Sequence, residues 1–178
     1  MPLNAYLSLS GVVHGDVKGS VTQKGREGKI LVIAADHEVL SPRDAATGQA
    51  TGRRMHKPFR IVKLVDKATP VLYSMLSTNE RTSQWELQFW RANAVRGTGA
   101  EVQYYTVRLT NAAITDIAFH MPNTQNPDTV KYAEYEEVSF TYQKIEWIWT
   151  NGNISTQDDW NLPALSARRA KSKAKRVR

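Results

Sequence analysis

Residues 34–76 read AADHEVLSPRDAATGQATGRRMHKPFRIVKLVDKATPVLYSML, and the punctuation of this stretch decides the fold. Residues 29–40 are apolar enough for a strand covered on both faces. They run into a polar segment holding Pro42, Asp44, Gly48 and Gly52. Residues 59–66 form a second strand. Thr69-Pro70 then reads as a helix start, with Thr69 as the cap and Pro70 in the first helical position, where a missing N–H costs nothing. Leu72, Met75 and Leu76 repeat at helical spacing before Thr78. About ten residues are too few for a helix to persist on propensity alone, so this apolar stripe must pack. The link between the two strands exceeds the usual hairpin connection of about 2–5 residues. Pro42, Gly48 and Gly52 argue against regular pairing, so residues 43–57 are expected as an extended, mobile loop reaching a neighbouring molecule. Arg43, Asp44, Arg53 and Arg54 are its candidate contacts.

Working outward, strand patterns dominate. Residues 4–13 alternate Ala5, Leu7 and Leu9 against Tyr6, Ser8 and Ser10, which suits a sheet with one buried face. Trp85, Leu87 and Phe89 share a face, and residues 103–109 and 113–119 continue the β-branched and aromatic series. Turn residues separate these runs at Gly97-Thr98-Gly99 and between Pro122 and Pro127. In residues 135–150, Val138, Phe140 and Tyr142 keep one parity, whereas Ile145, Trp147 and Trp149 take the other. That phase change near Gln143-Lys144 implies a bulge or bend in a barrel wall or packed sheet, or else two strands meeting at a corner. Trp85, Trp90, Trp147 and Trp149 read as core or subunit-interface residues before they read as a stacking platform.

The net charge of +7 has a local origin. Arg168, Arg169, Lys171, Lys173, Lys175, Arg176 and Arg178 form a block without an acid; without these seven, 17 basic residues face 17 acidic ones. The chain therefore divides into one folded domain, residues 1–162, and a basic tail, residues 163–178, that reads as disordered. At 178 residues the chain can bury a real core. No apolar run approaches the roughly 20 residues of a membrane-spanning helix, so membrane insertion is not expected. The start, Met1-Pro2-Leu3-Asn4-Ala5-Tyr6, lacks the basic and apolar regions of a signal peptide.

The residue types for chemistry occur without recognisable spacing. There are no cysteines, which excludes disulfides, thiol nucleophiles and cysteine zinc sites. His14, His37, His56 and His120 form no metal-binding pair, and Asp36, His37 and Glu38 alternate faces if they lie on a strand. The Glu136-Glu137 and Asp158-Asp159 pairs meet the same geometric objection. Gly25 to Lys29 is too short for a phosphate loop and ends before Ile30 where Ser or Thr would be needed. No enzyme, no cofactor and no metal are expected.

The ordered motifs point further. The succession DHEV, PRD, TG, HKPF, then K, D, P and L in residues 36–76 is followed by His120-Met121-Pro122-Asn123, by residues 137–147 (EVSFTYQKIEW), and by Asp158-Asp159-Trp160. Across residues 4–160 this resembles the haemolysin-coregulated protein (Hcp) family of type VI secretion systems. The resemblance implies a mainly β fold: a Greek-key-like β-barrel of two packed antiparallel sheets with one short α-helix, assembling into a hexameric ring. It implies rings stacked into a secreted inner tube, effector proteins carried in the lumen, and spike and sheath or baseplate components as partners. It also implies synthesis in the cytoplasm and export through the apparatus without a signal peptide. The 18 residues after Trp160 are too few for a fused toxin domain. The rival is a β-barrel binding module for anionic polymers, nucleic acid or lipid, acting through the basic tail. Nucleic acid is the weaker expectation, because the cations sit in the tail and not on the folded surface.

Overall fold

The structure, a computed structural model, describes residues 4–92 and 101–161. In chain order the elements are β1 (Ala5–Gly11), β2 (Gly15–Val17), β3 (Ile30–Val32), β4 (Ala34–Asp36), β5 (Val39–Leu40), β6 (Met55–His56), β7 (Phe59–Leu64), α1 (Thr69–Ser77), β8 (Thr82–Ala92), β9 (Glu101–Thr110), β10 (Ala113–His120), β11 (Tyr135–Thr141), β12 (Lys144–Trp149) and β13 (Ile154–Asp159). One sheet runs β13-β12-β9-β8-β1-β2 with β3 also on β1; a second runs β10-β11-β7-β4; β5 and β6 pair by themselves. Every ladder is antiparallel.

The core lies between the two large sheets. Trp85 is its centre, meeting Phe59 edge-on at 5.1 Å and Phe140 at 5.5 Å between ring centroids. Leu7, Leu9, Leu87, Ile61 and Val138 close around it, as their inward parity requires. Each such aliphatic side chain stabilises the fold by roughly 1.5–3 kcal/mol on burial. α1 lies beside β10 and buries Leu72 and Met75. Thr69 proves to be its first residue and not its cap, which is Ala68 without a side-chain bond. The Thr69 hydroxyl is instead drawn to Glu136 at 2.8 Å. The helix ends where Asn79 takes φ of 52°, with Asn79 N–H on Leu76 C=O and Glu80 N–H on Met75 C=O.

Two expectations are corrected by the way the chain changes sheets. The described residues form two packed sheets and no closed barrel. Single ties join the corners, from Ile33 N–H to Val62 C=O at 2.9 Å and from Thr82 N–H to Ala112 C=O at 2.8 Å, but no ladder runs around the molecule. Residues 29–40 are likewise not one doubly covered strand. Ile33 leaves the first sheet for the second, and Ala34–Asp36 are exposed. The phase change near Gln143 is the other crossing, so β11 and β12 are two strands meeting at a corner. The turn residues between Pro122 and Pro127 lie in a turn-rich link, whereas Gly97-Thr98-Gly99 fall outside the described residues.

Candidate functional site

The polar segment between the two first-read strands pairs, contrary to expectation. Val39 faces His56 and Leu40 faces Met55, and a further bridge joins Arg43 to Ala50. Pro42 offers only its carbonyl, to Thr51 N–H at 3.0 Å, so its missing N–H is not felt. Gly48 takes φ of 69°, the turn conformation glycine allows freely. Asp44 Oδ1 accepts from Ala46 N–H at 3.1 Å, Thr47 N–H at 2.7 Å and the Thr47 hydroxyl at 2.8 Å. Those Thr47 and Ala46 bonds hold the Asp44 carboxyl below its ordinary range. Almost every residue from Val39 to Met55 is exposed, so the hairpin stands away from the sheets.

The four candidate contacts consequently separate. Arg43 donates to Gly48 C=O at 3.0 Å and Asp44 organises the tip. Arg53 is exposed at the base. Arg54 folds back, bonding the Asp158 carboxylate and donating to Asp159 C=O at 2.6 Å. The tail candidates, Arg168 to Arg178, lie outside the described residues.

Beneath the hairpin lies a cluster that sequence reasoning did not assemble. His56 Nε2 is 2.7 Å from Asp158 Oδ2, and His56 Nδ1 is 3.0 Å from the Tyr142 hydroxyl. That hydroxyl is also 2.6 Å from His37 Nε2. His37 stacks on Phe59 at 5.2 Å, and His56 stacks on Trp160 at 5.6 Å. Burial and the neighbouring His56 hold His37 below its ordinary value. Burial, then the Asp158 charge, pushes the Tyr142 phenol up. For Asp158 burial works upward, but its hydrogen bonds from Arg54 and His56 outweigh it and keep the carboxyl low. Asp36 and Glu38 turn outward to Arg60 and Lys57, so the Asp36-His37-Glu38 trio has three separate partners.

A second cluster clasps the β1–β2 turn. Glu80 accepts from Val13 N–H at 2.6 Å and His14 N–H at 2.9 Å, contacts His14 Nδ1 closely, and His14 Nε2 lies 3.0 Å from Ser74 Oγ. Burial would raise Glu80, but those His14 and Val13 bonds prevail and hold it low. Ser74 lies inside α1, where backbone N–H groups are spent along the helix, so none is free for an oxyanion. The Gly25 to Lys29 segment is a loop before β3, with Arg26 over the Trp90 ring at 4.1 Å and Lys29 bonded to Gln88 at 2.5 Å. The tryptophans disperse: Trp85 into the core, Trp90 under Arg26, Trp147 beside His37, and Trp149 against Tyr104.

This fold has known counterparts. The family model for "Type VI secretion system effector, Hcp" matches residues 6–149. The chain belongs to the Hcp family of type VI secretion proteins. It is 38% identical over 172 residues to the "Major exported protein" of Pseudomonas aeruginosa, covering 92% of this chain and 98% of that one. A solved structure described as "Crystal structure of Hcp protein" superposes with a TM-score of 0.81 at 29% identity, covering 90% of this chain and 99% of that one. The "Secreted protein Hcp3 from Pseudomonas aeruginosa" superposes at 0.70 with 32% identity, covering 89% and 99%. The β-rich Hcp fold and the association with type VI export that the motifs implied both stand.

Proposed function

We propose that this Hcp chain is the repeating subunit of a type VI inner tube. Six copies close a ring, rings stack, and the lumen carries effector proteins. Spike and sheath or baseplate components are the remaining partners, and export through the apparatus delivers the tube to the extracellular space or a target cell. The observation that carries this reading is Hcp family membership across the folded body, residues 6–149. The standing hairpin supports it, because a nearly fully exposed ladder is suited to reaching another copy. So does the charge balance outside the tail, since strongly charged copies would repel each other on stacking. Function resides on this reading in surfaces, with no catalytic step.

Size-exclusion chromatography with light scattering tests it. A mass about six times the 20.1 kDa chain is expected, and a clean monomer at micromolar concentration overturns it. Removing residues 45–51 should weaken ring stacking, seen by negative-stain microscopy, more than it lowers thermal stability. Equal losses would make the hairpin tip part of the folding core. The seven tail cations favour one addition, salt-dependent binding of an anionic polymer by the assembled ring. Removing residues 168–178 should abolish it.

A further inference from the structure

We propose that His37, Tyr142, His56 and Asp158 form a pH-sensitive pivot, clamping the β5–β6 hairpin to the two sheets near neutrality and releasing it in mild acid. The wiring follows from which atoms can donate. The ionised Asp158 carboxylate only accepts, so His56 Nε2 carries the proton of the 2.7 Å contact. In a neutral ring His56 Nδ1 is then an acceptor, and the single Tyr142 hydroxyl proton goes to it across 3.0 Å. The Tyr142 oxygen in turn accepts His37 Nε2–H across 2.6 Å. Donation runs one way, from His37 to Tyr142 to His56 to Asp158, and each of these three contacts has its one proton while both imidazoles are neutral.

One added proton is accommodated. Placed on His56 Nδ1, it turns the Tyr142 hydroxyl toward His37, whose own proton moves to Nδ1. A second is not. Both rings would then donate to one phenol oxygen, leaving the Tyr142 proton without an acceptor in the cluster. Two imidazolium rings would stand 6.0 Å apart before one carboxylate already engaged by Arg54. Among the described residues the other faces supply no compensating charge, being Phe59 from β7, Trp147 from β12 and Trp160 after β13. Toward solvent, Asp36 is paired with Arg60 and Glu38 with Lys57. Burial and His56 hold His37 below the ordinary imidazole value of 6.5. A depressed value in the clamped state means the clamp is at full strength above 6.5 and weakens as pH falls from there through the clamped-state value.

The lever is short. His37 lies two residues before β5, and His56 ends β6, so the cluster grips both legs of the hairpin at its base. Arg54 to Asp158 adds a third hold on the same carboxylate. Losing the cluster frees the exposed ladder without opening the core between the sheets. Any contact made through the hairpin then becomes weaker in acid.

Hydrogen exchange of the full-length protein at about pH 7.5 and about pH 5, corrected for intrinsic exchange, tests this. The N–H groups of Asp44, Thr51 and Lys57 report the hairpin, and β8 and β9 report the body of the same molecule. Hairpin protection should fall about tenfold in acid while β8–β9 protection holds. His37→Gln keeps a donor for Tyr142 but takes no proton, so its fall should stay below about threefold. Unchanged hairpin protection in the wild type, an equal fall in β8–β9, or a full fall in His37→Gln each overturns the pivot. If His37→Gln does not fold, the wild-type imidazole titrations decide. Hairpin resonances that move with a His37 midpoint below 6.5 support the pivot, and hairpin resonances that follow neither His37 nor His56 refute it.

Discussion

Lys63 and Glu136 differ from the His37 cluster in one physical respect, access to water, and the two play opposite parts. Lys63 and Glu136 sit opposite each other on β7 and β11 with side chains 0% exposed and Nζ 2.6 Å from Oε1. Leu64 C=O, the Thr69 hydroxyl and Asp66 gather around the same Nζ at 2.8, 3.1 and 2.9 Å. The pair joins the second sheet to the start of α1 and leaves Glu136 Oε2 without a partner among the described residues. Beside the hairpin, His56 is buried but His37 is half-exposed and Asp158 reaches solvent. A sealed pair holds the core in one arrangement; an open one at an element's base allows that element to move alone.

The largest expected effect tests the sealed cluster. Lys63→Met leaves the Glu136 carboxylate buried without its cation, which costs about 3–5 kcal/mol. For a chain of this size that lowers Tm by roughly 6–20 °C, with hairpin and body melting together. Adding Glu136→Leu removes the stranded charge and should restore most of the loss, because replacing both partners is often neutral. Differential scanning calorimetry of the two variants checks this. A drop under about 2 °C for Lys63→Met would remove the contrast between the clusters.

The next effect is smaller and local. Tyr142→Phe deletes the hydroxyl both histidines use, leaving two ring nitrogens short of a partner at a cost of about 1–2 kcal/mol. Hydrogen exchange at neutral pH should show the hairpin losing protection, while β8 and β9 change little. Equal loss in both regions would mean that Tyr142 supports the whole core and is no pivot.

Sequence patterns carried the alternation and missed the crossings. Ala5, Leu7 and Leu9 point inward as their period requires, and so do Trp85 and Leu87. The same parity offered an unused signal. Lys63 continues the inward series of Phe59 and Ile61, and Glu136 opens that of Val138 and Phe140, so a buried pair on adjacent strands was legible. The split of residues 29–40 was not, because a chain passing between sheets stays apolar on both sides of Ile33. Pro42, Gly48 and Gly52 argue against pairing in the sequence, yet Pro42 contributes only its carbonyl and Gly48 supplies the turn, so the hairpin forms. The pivot joins residues 86 to 105 positions apart, a proximity that only the two crossings create.

The smallest effect separates the hairpin tip from its base. Asp44 is fully exposed, and its carboxylate serves only the turn through Ala46 and Thr47. Asp44→Ala should leave Tm unchanged while the Ala46 and Thr47 amides exchange faster. Thr47 holds the Asp44 carboxyl below its ordinary 3.8, so its contribution is complete above that value and lost as pH falls through the folded one. Near pH 5 the Asp44 turn is therefore indifferent to acid, so the pivot predicts loosening that starts at the base. The Asp44→Ala chain should thus keep the wild-type acid response at Lys57, next to the base, though its tip is already loose. If the substitution abolished that response, the acid-sensitive element would be the tip, and the distinction between a sealed cluster and a titrating pivot would fail at its open end.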